Sequence, residues 1–307
     1  MQQTFRTLTH PPMTAARPGV ALGLAVHLGP LVAVLGWLTV SGVDLFHVVA
    51  STAVVGFGSA GLTEWLARRR PLEPLPALGL RRGLGILAWH IVGKGLLVGV
   101  ALLLAIWGLG ALLLPGRTLT HGPSTVIAVL LIGDFAYYAI HRWLYHSTVS
   151  GSRFVSWARR QHWMHHRVEH LDFLRGNIGS LFDNGVISFP IPTALAAVLL
   201  GLDLPGTLLV YMILMNLQVT HHANAEFDLG PLRYVFVSDR SHKMHHCIRG
   251  HLVNFGGIFA FWDLAFGSFY DPRDVRPSAL HHQRRPLPIT RARLAREKRR
   301  PSATLRR

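Results

Sequence analysis

Long apolar runs that end beside clusters of histidine constrain this chain more than any other feature. His141 and His146 sit in H-R-W-L-Y-H, His162, His165 and His166 in H-W-M-H-H, and His242, His245 and His246 in H-K-M-H-H. On an α-helix, positions i, i+3 and i+4 share one face, with Cβ atoms roughly 5–6 Å apart. Each H-x-x-H-H triplet therefore aims three imidazoles at one point. A neutral imidazole binds zinc, copper, iron and nickel, and eight such rings exceed what a tetrahedral zinc site needs. The surplus points to two metals, held at a membrane surface.

Composition sets that location. Of 307 residues, 50% are hydrophobic and 15% charged, and the mean hydropathy is +0.32, outside the range of soluble domains. The net charge of +16 is concentrated in Arg68, Arg69 and Arg70 with Arg81 and Arg82 in one loop, and in a tail from Arg284 to Arg307. Such clusters read as cytoplasmic loops and contacts to acidic lipid. No nucleic-acid motif accompanies them, so a nucleic-acid partner is not expected. Cys247 stands alone, which excludes an intramolecular disulfide.

Along the chain, a polar segment 1–19 precedes an apolar run from about Val20 to Val40, long enough to span and read as a retained helix rather than a cleaved leader. Further runs cover about Asp44 to Leu66, Gly95 to Leu114 and Thr125 to Ile140, the last leading straight into His141. A polar stretch from Ser147 to Asn184 carries the second cluster. The run from about Val186 to Leu217 is too long for one span and is interrupted by Gly201, Asp203, Pro205 and Gly206, which predicts a helical hairpin. With the Arg-rich loops inside, both termini and all three clusters fall on the cytoplasmic side of a multi-pass protein. The expected class is all-α: an integral membrane helical bundle with a cytosolic helical cap carrying the histidine clusters. The expected division is 1–19 cytosolic, 20–115 transmembrane, 124–270 metal-bearing and 271–307 basic tail.

The ordered set D-F-A-Y-Y-A-I-H-R-W-L-Y-H, H-W-M-H-H, H-H-A-N, S-H-K-M-H-H and N-F-G-G-I-F-A-F-W-D-L-A-F-G-S-F-Y resembles the fatty acid hydroxylase and sterol desaturase superfamily of membrane di-iron oxygenases. It covers about Asp134 to Tyr270. The resemblance implies two non-haem iron ions with all-histidine coordination, using O2 and two electrons to hydroxylate or desaturate a lipid. The ligands it implies are His141, His146, His162, His165, His166, His242, His245 and His246, with a ninth from T-H-H-A-N, taken as His222 with His221 the alternative. Relatives often carry an Arg-x-His-Pro element after the second cluster. Here Arg175 is followed by G-N-I-G-S, which leaves the substrate subgroup open.

The chemistry of the residues agrees with this independently. Attack on an unactivated C–H bond needs a redox-active metal such as iron, and zinc is redox-silent. A ligating histidine usually donates its other N–H to a carboxylate or carbonyl. Asp134, at i−7 from His141, lies on the same helix face and is the leading candidate for that supporting role, with Asn224, Asp263 and Glu169 behind it. His27, His47, His90, His121, His170 and His251 are read as hydrogen-bonding residues, Trp143, Tyr145, Trp157 and Trp163 as interfacial aromatics, and Asn254 with Gly256 as a turn beneath the third cluster. A zinc hydrolase using Glu169 as base leaves too many histidines unexplained. A haem or metal carrier is disfavoured because the histidines pair up in polar segments. Nothing resembles a haem, flavin or iron–sulfur domain, so electrons must come from an external donor: a ferredoxin, a cytochrome b5-like protein or a reductase. Hydroxylation is preferred over desaturation as the broader chemistry of such sites. A sterol, an acyl chain, a carotenoid and an aminolipid all remain open as substrate.

Overall fold

The computed structural model describes residues 75–274, apart from 117, 121, 148–151, 169, 226 and 248–251, together with 61–66 and isolated positions between 25 and 71. The run expected at 20–40, most of that at 44–66, Glu169 and the basic tail lie outside the described residues. The rest is helical. Among the described residues there is no strand, only two isolated bridges.

Helix α1 runs from Leu80 to Leu113 and α2 from Pro123 to Tyr145, both longer than the ~20 residues a bilayer core requires. Only 11% of the most apolar stretch of α1 is buried, and Leu84, Trp89, Leu97, Leu109 and Leu112 are exposed. Its length and exposed apolar surface are those of a helix able to cross a membrane. It also starts well before the expected Gly95, so Arg81 and Arg82 occupy its first turn rather than a loop. Hydropathy missed this start because His90 and Lys94 interrupt the run. Lys94, however, does not face lipid: it is 1% exposed and donates to the carbonyl of Asn177 at 3.0 Å.

The hairpin forms where the breakers stand. Helix α4 (Pro190–Leu200) ends on Gly201 at φ +71°, a left-handed cap that glycine adopts without strain. Helix α5 (Leu204–Thr220) then begins with the Asp203 side chain accepting from Gly206 N at 2.9 Å. Thr120, between α1 and α2, exchanges backbone hydrogen bonds with Gly201 and Asp203. Both turns thus share one end of the bundle. The end of α2, the start of α4 and the end of α5 must then meet at the other end, where the histidines are.

Glycines set the helix spacing. A Cβ on Gly99 would strike Tyr211, whose hydroxyl donates to Gly95 O at 2.6 Å, and one on Gly110 would strike Val198. Leu103, Val129, Ala194, Ala197, Tyr211 and Leu214 fill the core between these helices. Outside the bundle lie α3 (Arg153–His166), capped by Ser152 Oγ accepting from Val155 N at 3.3 Å, α6 (Asp239–Cys247) and the short α7 (Phe261–Ala265).

Candidate metal centre

The last turn of α2, Ile140–Tyr145, is wound in π register. His146 N donates to His141 O at 3.1 Å, a step of five residues. In an ordinary α-helix a spacing of five would splay the two rings apart; the wider turn returns them to one face. Helix α3 contributes His162, His165 and His166, helix α6 contributes His242, His245 and His246, and His222 follows directly on α5.

These nine rings fall into two groups: His141, His146, His162, His166 and His245, and His165, His222, His242 and His246, with ligand atoms in each group within 4.8 Å of one another. Eight of the nine are buried and His146 is half-buried. Facing Nε2 atoms stand 3.0 Å apart for His162 and His166, 3.2 Å for His166 and His245, 3.2 Å for His165 and His222, 3.0 Å for His222 and His242, and 3.2 Å for His242 and His246. Two imidazole nitrogens on one ion, each at about 2.0–2.1 Å and ~90–110° apart, are separated by ~2.9–3.4 Å. The spacing is that of ligands around a shared ion.

Hydrogen bonding points the lone pairs inward. The Nδ1 atoms of His141, His222 and His245 face the carbonyls of Phe255 (2.8 Å), Gln218 (3.1 Å) and Val253 (2.8 Å). A carbonyl only accepts, so Nδ1 carries the proton and Nε2 the free pair. The buried Nε2 of His141 has no hydrogen-bond partner among the described residues, a costly arrangement unless a metal takes the pair. Burial, reinforced by neighbouring imidazoles, holds His165, His166, His242 and His246 well below their ordinary pKa and therefore neutral. The residues fit a pair of late first-row metal ions.

The carboxylate behind a ligand is Asp183, which the sequence reading passed over. Its Oδ2 lies 3.0 Å from His162 Nδ1, and its Oδ1 accepts from Ser188 at 2.9 Å. Burial opposes its ionisation, but the facing His162 outweighs that and holds the carboxyl below the usual range. The signal was there: an acid at the edge of a spanning run is costly unless paired.

Asp134, expected in this role, touches no histidine. It accepts from Ile258 N (2.7 Å), Phe259 N (3.2 Å) and Trp262 Nε1 (3.0 Å). Asp263 accepts from Phe255 N and Gly256 N, both at 2.8 Å, and from Ser268 at 2.7 Å. Between them the two acids fix the loop whose Phe255 carbonyl meets His141. Asn254, at φ +55°, secures the same loop through Tyr270 N at 2.8 Å. Asn224 accepts from the buried Lys243 at 2.8 Å.

His170 and His221 belong to neither group. Tyr145, read as interfacial, is 1% exposed and stacks on His162 with centroids 4.6 Å apart. Gly176, in the G-N-I-G-S departure, lies under His222, and any Cβ there would overlap that ring.

The fatty acid hydroxylase family profile matches residues 126–268, which contain all nine histidines. The chain is 29% identical over 160 residues to the ornithine lipid hydroxylase OlsE of Rhizobium tropici, covering 50% of this chain and 44% of that one. It is 27% identical over 156 residues to an alkylglycerol monooxygenase of Danio rerio, covering 48% and 31%. It is 29% identical over 167 residues to a beta-carotene hydroxylase of a Paracoccus species, covering 50% and 96%. The chain thus spans less than half the length of the first two of these relatives. No solved structure matches it.

Proposed function

We propose, from the premise that this chain belongs through residues 126–268 to the fatty acid hydroxylase family, that it is a membrane lipid hydroxylase holding two iron ions. The observation that carries the reading is the sorting of nine imidazoles into groups of five and four. The overall change is R–H + O2 + 2 e⁻ + 2 H⁺ → R–OH + H2O. Bound iron would supply the redox chemistry that activates O2 toward a C–H bond.

The residues do the rest. Asp183 and the carbonyls of Gln218, Val253 and Phe255 hold the imidazoles in one tautomer. Tyr137, stacked on Phe189 with centroids 4.5 Å apart and tilted against His141 at 5.2 Å, forms with the bundle core an apolar floor that excludes water. Substrate reaches that floor from the bilayer. The three relatives are named for an ornithine lipid, alkylglycerol and beta-carotene, whose common element is a long apolar body, so the substrate class is a membrane lipid with such a body. Electrons come from a separate donor, a ferredoxin, a cytochrome b5-like protein or a reductase. The chain is multi-pass, with its histidine end and both termini in the cytoplasm.

Elemental analysis with Mössbauer spectroscopy of iron-57-loaded, detergent-purified protein tests the metal. About two irons per chain is the expected result, followed by incorporation of label from ¹⁸O2 into a lipid product. One zinc and no iron from iron-replete cells overturns the reading in favour of a hydrolase.

A further inference from the structure

A lysine side chain buried in a spanning helix is expensive, and one that persists is held there by a specific partner. Lys94, at the middle of α1, is such a residue, and nothing above uses it. Its Nζ donates to Asn177 O at 3.0 Å. Asn177 belongs to the tight turn Arg175–Asn177, which is pinned from the other side by the Arg175–Asp172 ion pair and by Arg175 Nη2 donating to Pro76 O at 2.6 Å.

Two glycines of this segment lie against ligands of one metal group only. Gly176 is under the ring of His222. A Cβ on Gly179 would lie 3.5 Å from His165 Cβ and 3.7 Å from Lys94 Nζ. His165 and His222 face each other across 3.2 Å. The segment is thus the wall that keeps these two rings together, and the lysine is what fastens the wall to α1.

We propose that Lys94 is a positioning residue for the four-histidine group: by anchoring Asn177 it presses Gly176 and Gly179 against His222 and His165 and so sets the affinity of that group for its metal. The inference rests on the two-iron reading. Removing the ammonium frees the turn without touching a ligand, and the five-histidine group, braced through Phe255, Val253 and Asp183, keeps its ion. Loss of a residue that orients a ligand typically costs about 10- to 100-fold in metal affinity.

The test is Lys94→Met, which keeps the length and apolar stem of the side chain, measured against wild type, His242→Ala and His245→Ala. Each protein is loaded with iron-57, dialysed against a chelator, and read by iron per chain and by Mössbauer spectrum. Wild type holding fewer than two irons sinks the two-iron reading itself and is seen before any variant is compared. With wild type at two, Lys94→Met is expected to retain about one iron with the spectrum of His242→Ala, and Lys94→Arg, which keeps a donor, to recover the second. Retention of both irons at wild-type release rates overturns the proposal, and so does loss of both irons together or a spectrum like that of His245→Ala. Should Lys94→Met not be recovered folded, Lys94→Leu, which also lacks a donor, is read by the same criteria.

Discussion

In the five-histidine group, His141 and His245 rest on carbonyls of the 252–260 loop, and His162 rests on Asp183. That loop is itself tied down by Asp134, Asp263 and Asn254. In the four-histidine group, only His222 has such a support, and it is a carbonyl of its own helix. The Nδ1 atoms of His165, His242 and His246 have no hydrogen-bond partner among the described residues. The comparison teaches that two sites made from overlapping helices need not be equally rigid: one is fixed by hydrogen bonds to distant segments, the other by packing against Gly176 and Gly179. Partner hydrogen bonds set ring orientation and ligand basicity. Two ions bound as proposed would therefore differ in how tightly they are held.

Four measurements sharpen or break this contrast. The largest effect is expected from His166→Ala combined with His246→Ala, since these two rings stack at 4.3 Å across the boundary between the groups. Both ions and all hydroxylation are lost, as read by elemental analysis and product formation; retention of a tightly bound ion would mean the groups are built independently. Next is Gly176→Ala, whose methyl displaces His222: about one iron per chain is retained, with the spectrum assigned to the five-histidine group. Loss of that group's signal instead would reverse the ranking. Third, Asp183→Asn weakens iron in the five-histidine group by about 10- to 100-fold, measured as chelator release, while the other group is unchanged. The smallest effect is acidification. A histidine whose pKa is depressed stays neutral as pH falls through the ordinary histidine range, so protons compete with metal only below it. In the four-histidine group, where His165, His242 and His246 are depressed in this way, iron content is expected to be the same at about pH 7.5 and pH 6, by elemental analysis and Mössbauer spectra of buffer-exchanged protein, and loss of that group's ion at pH 6 would break the expectation.

What could be read from the sequence follows from how locally each feature is encoded. The triplets of α3 and α6 are short-range patterns on single helices, so spacing alone picked out six of the nine histidines that the fold brings together. The hairpin was written in Gly201 and Asp203. His141 and His146 were found through their pattern, although their spacing of five makes sense only with the π-register turn, which no local rule signals. Asp134 was chosen because it shares a face with His141. Its carboxylate instead finds Ile258 and Trp262, far along the chain, because unpaired backbone N–H groups of a buried loop compete for any nearby acceptor. Asp183, Gly176 and Lys94 were missed for the same reason: each acts on a segment remote in sequence. The early start of α1 was hidden because hydropathy counts Lys94 as lipid-facing.

The order of the ligands along the chain has a consequence for biogenesis. His141, His146, His162 and His166 precede the α4–α5 hairpin and His245 follows it; His165 precedes it and His222, His242 and His246 follow. Neither group is complete until the hairpin has formed and α6 has been synthesised, so a chain that stops before α6 lacks histidines of both groups. Whatever metal these groups take can be held by a full set of imidazoles only after residues from both sides of the hairpin have met.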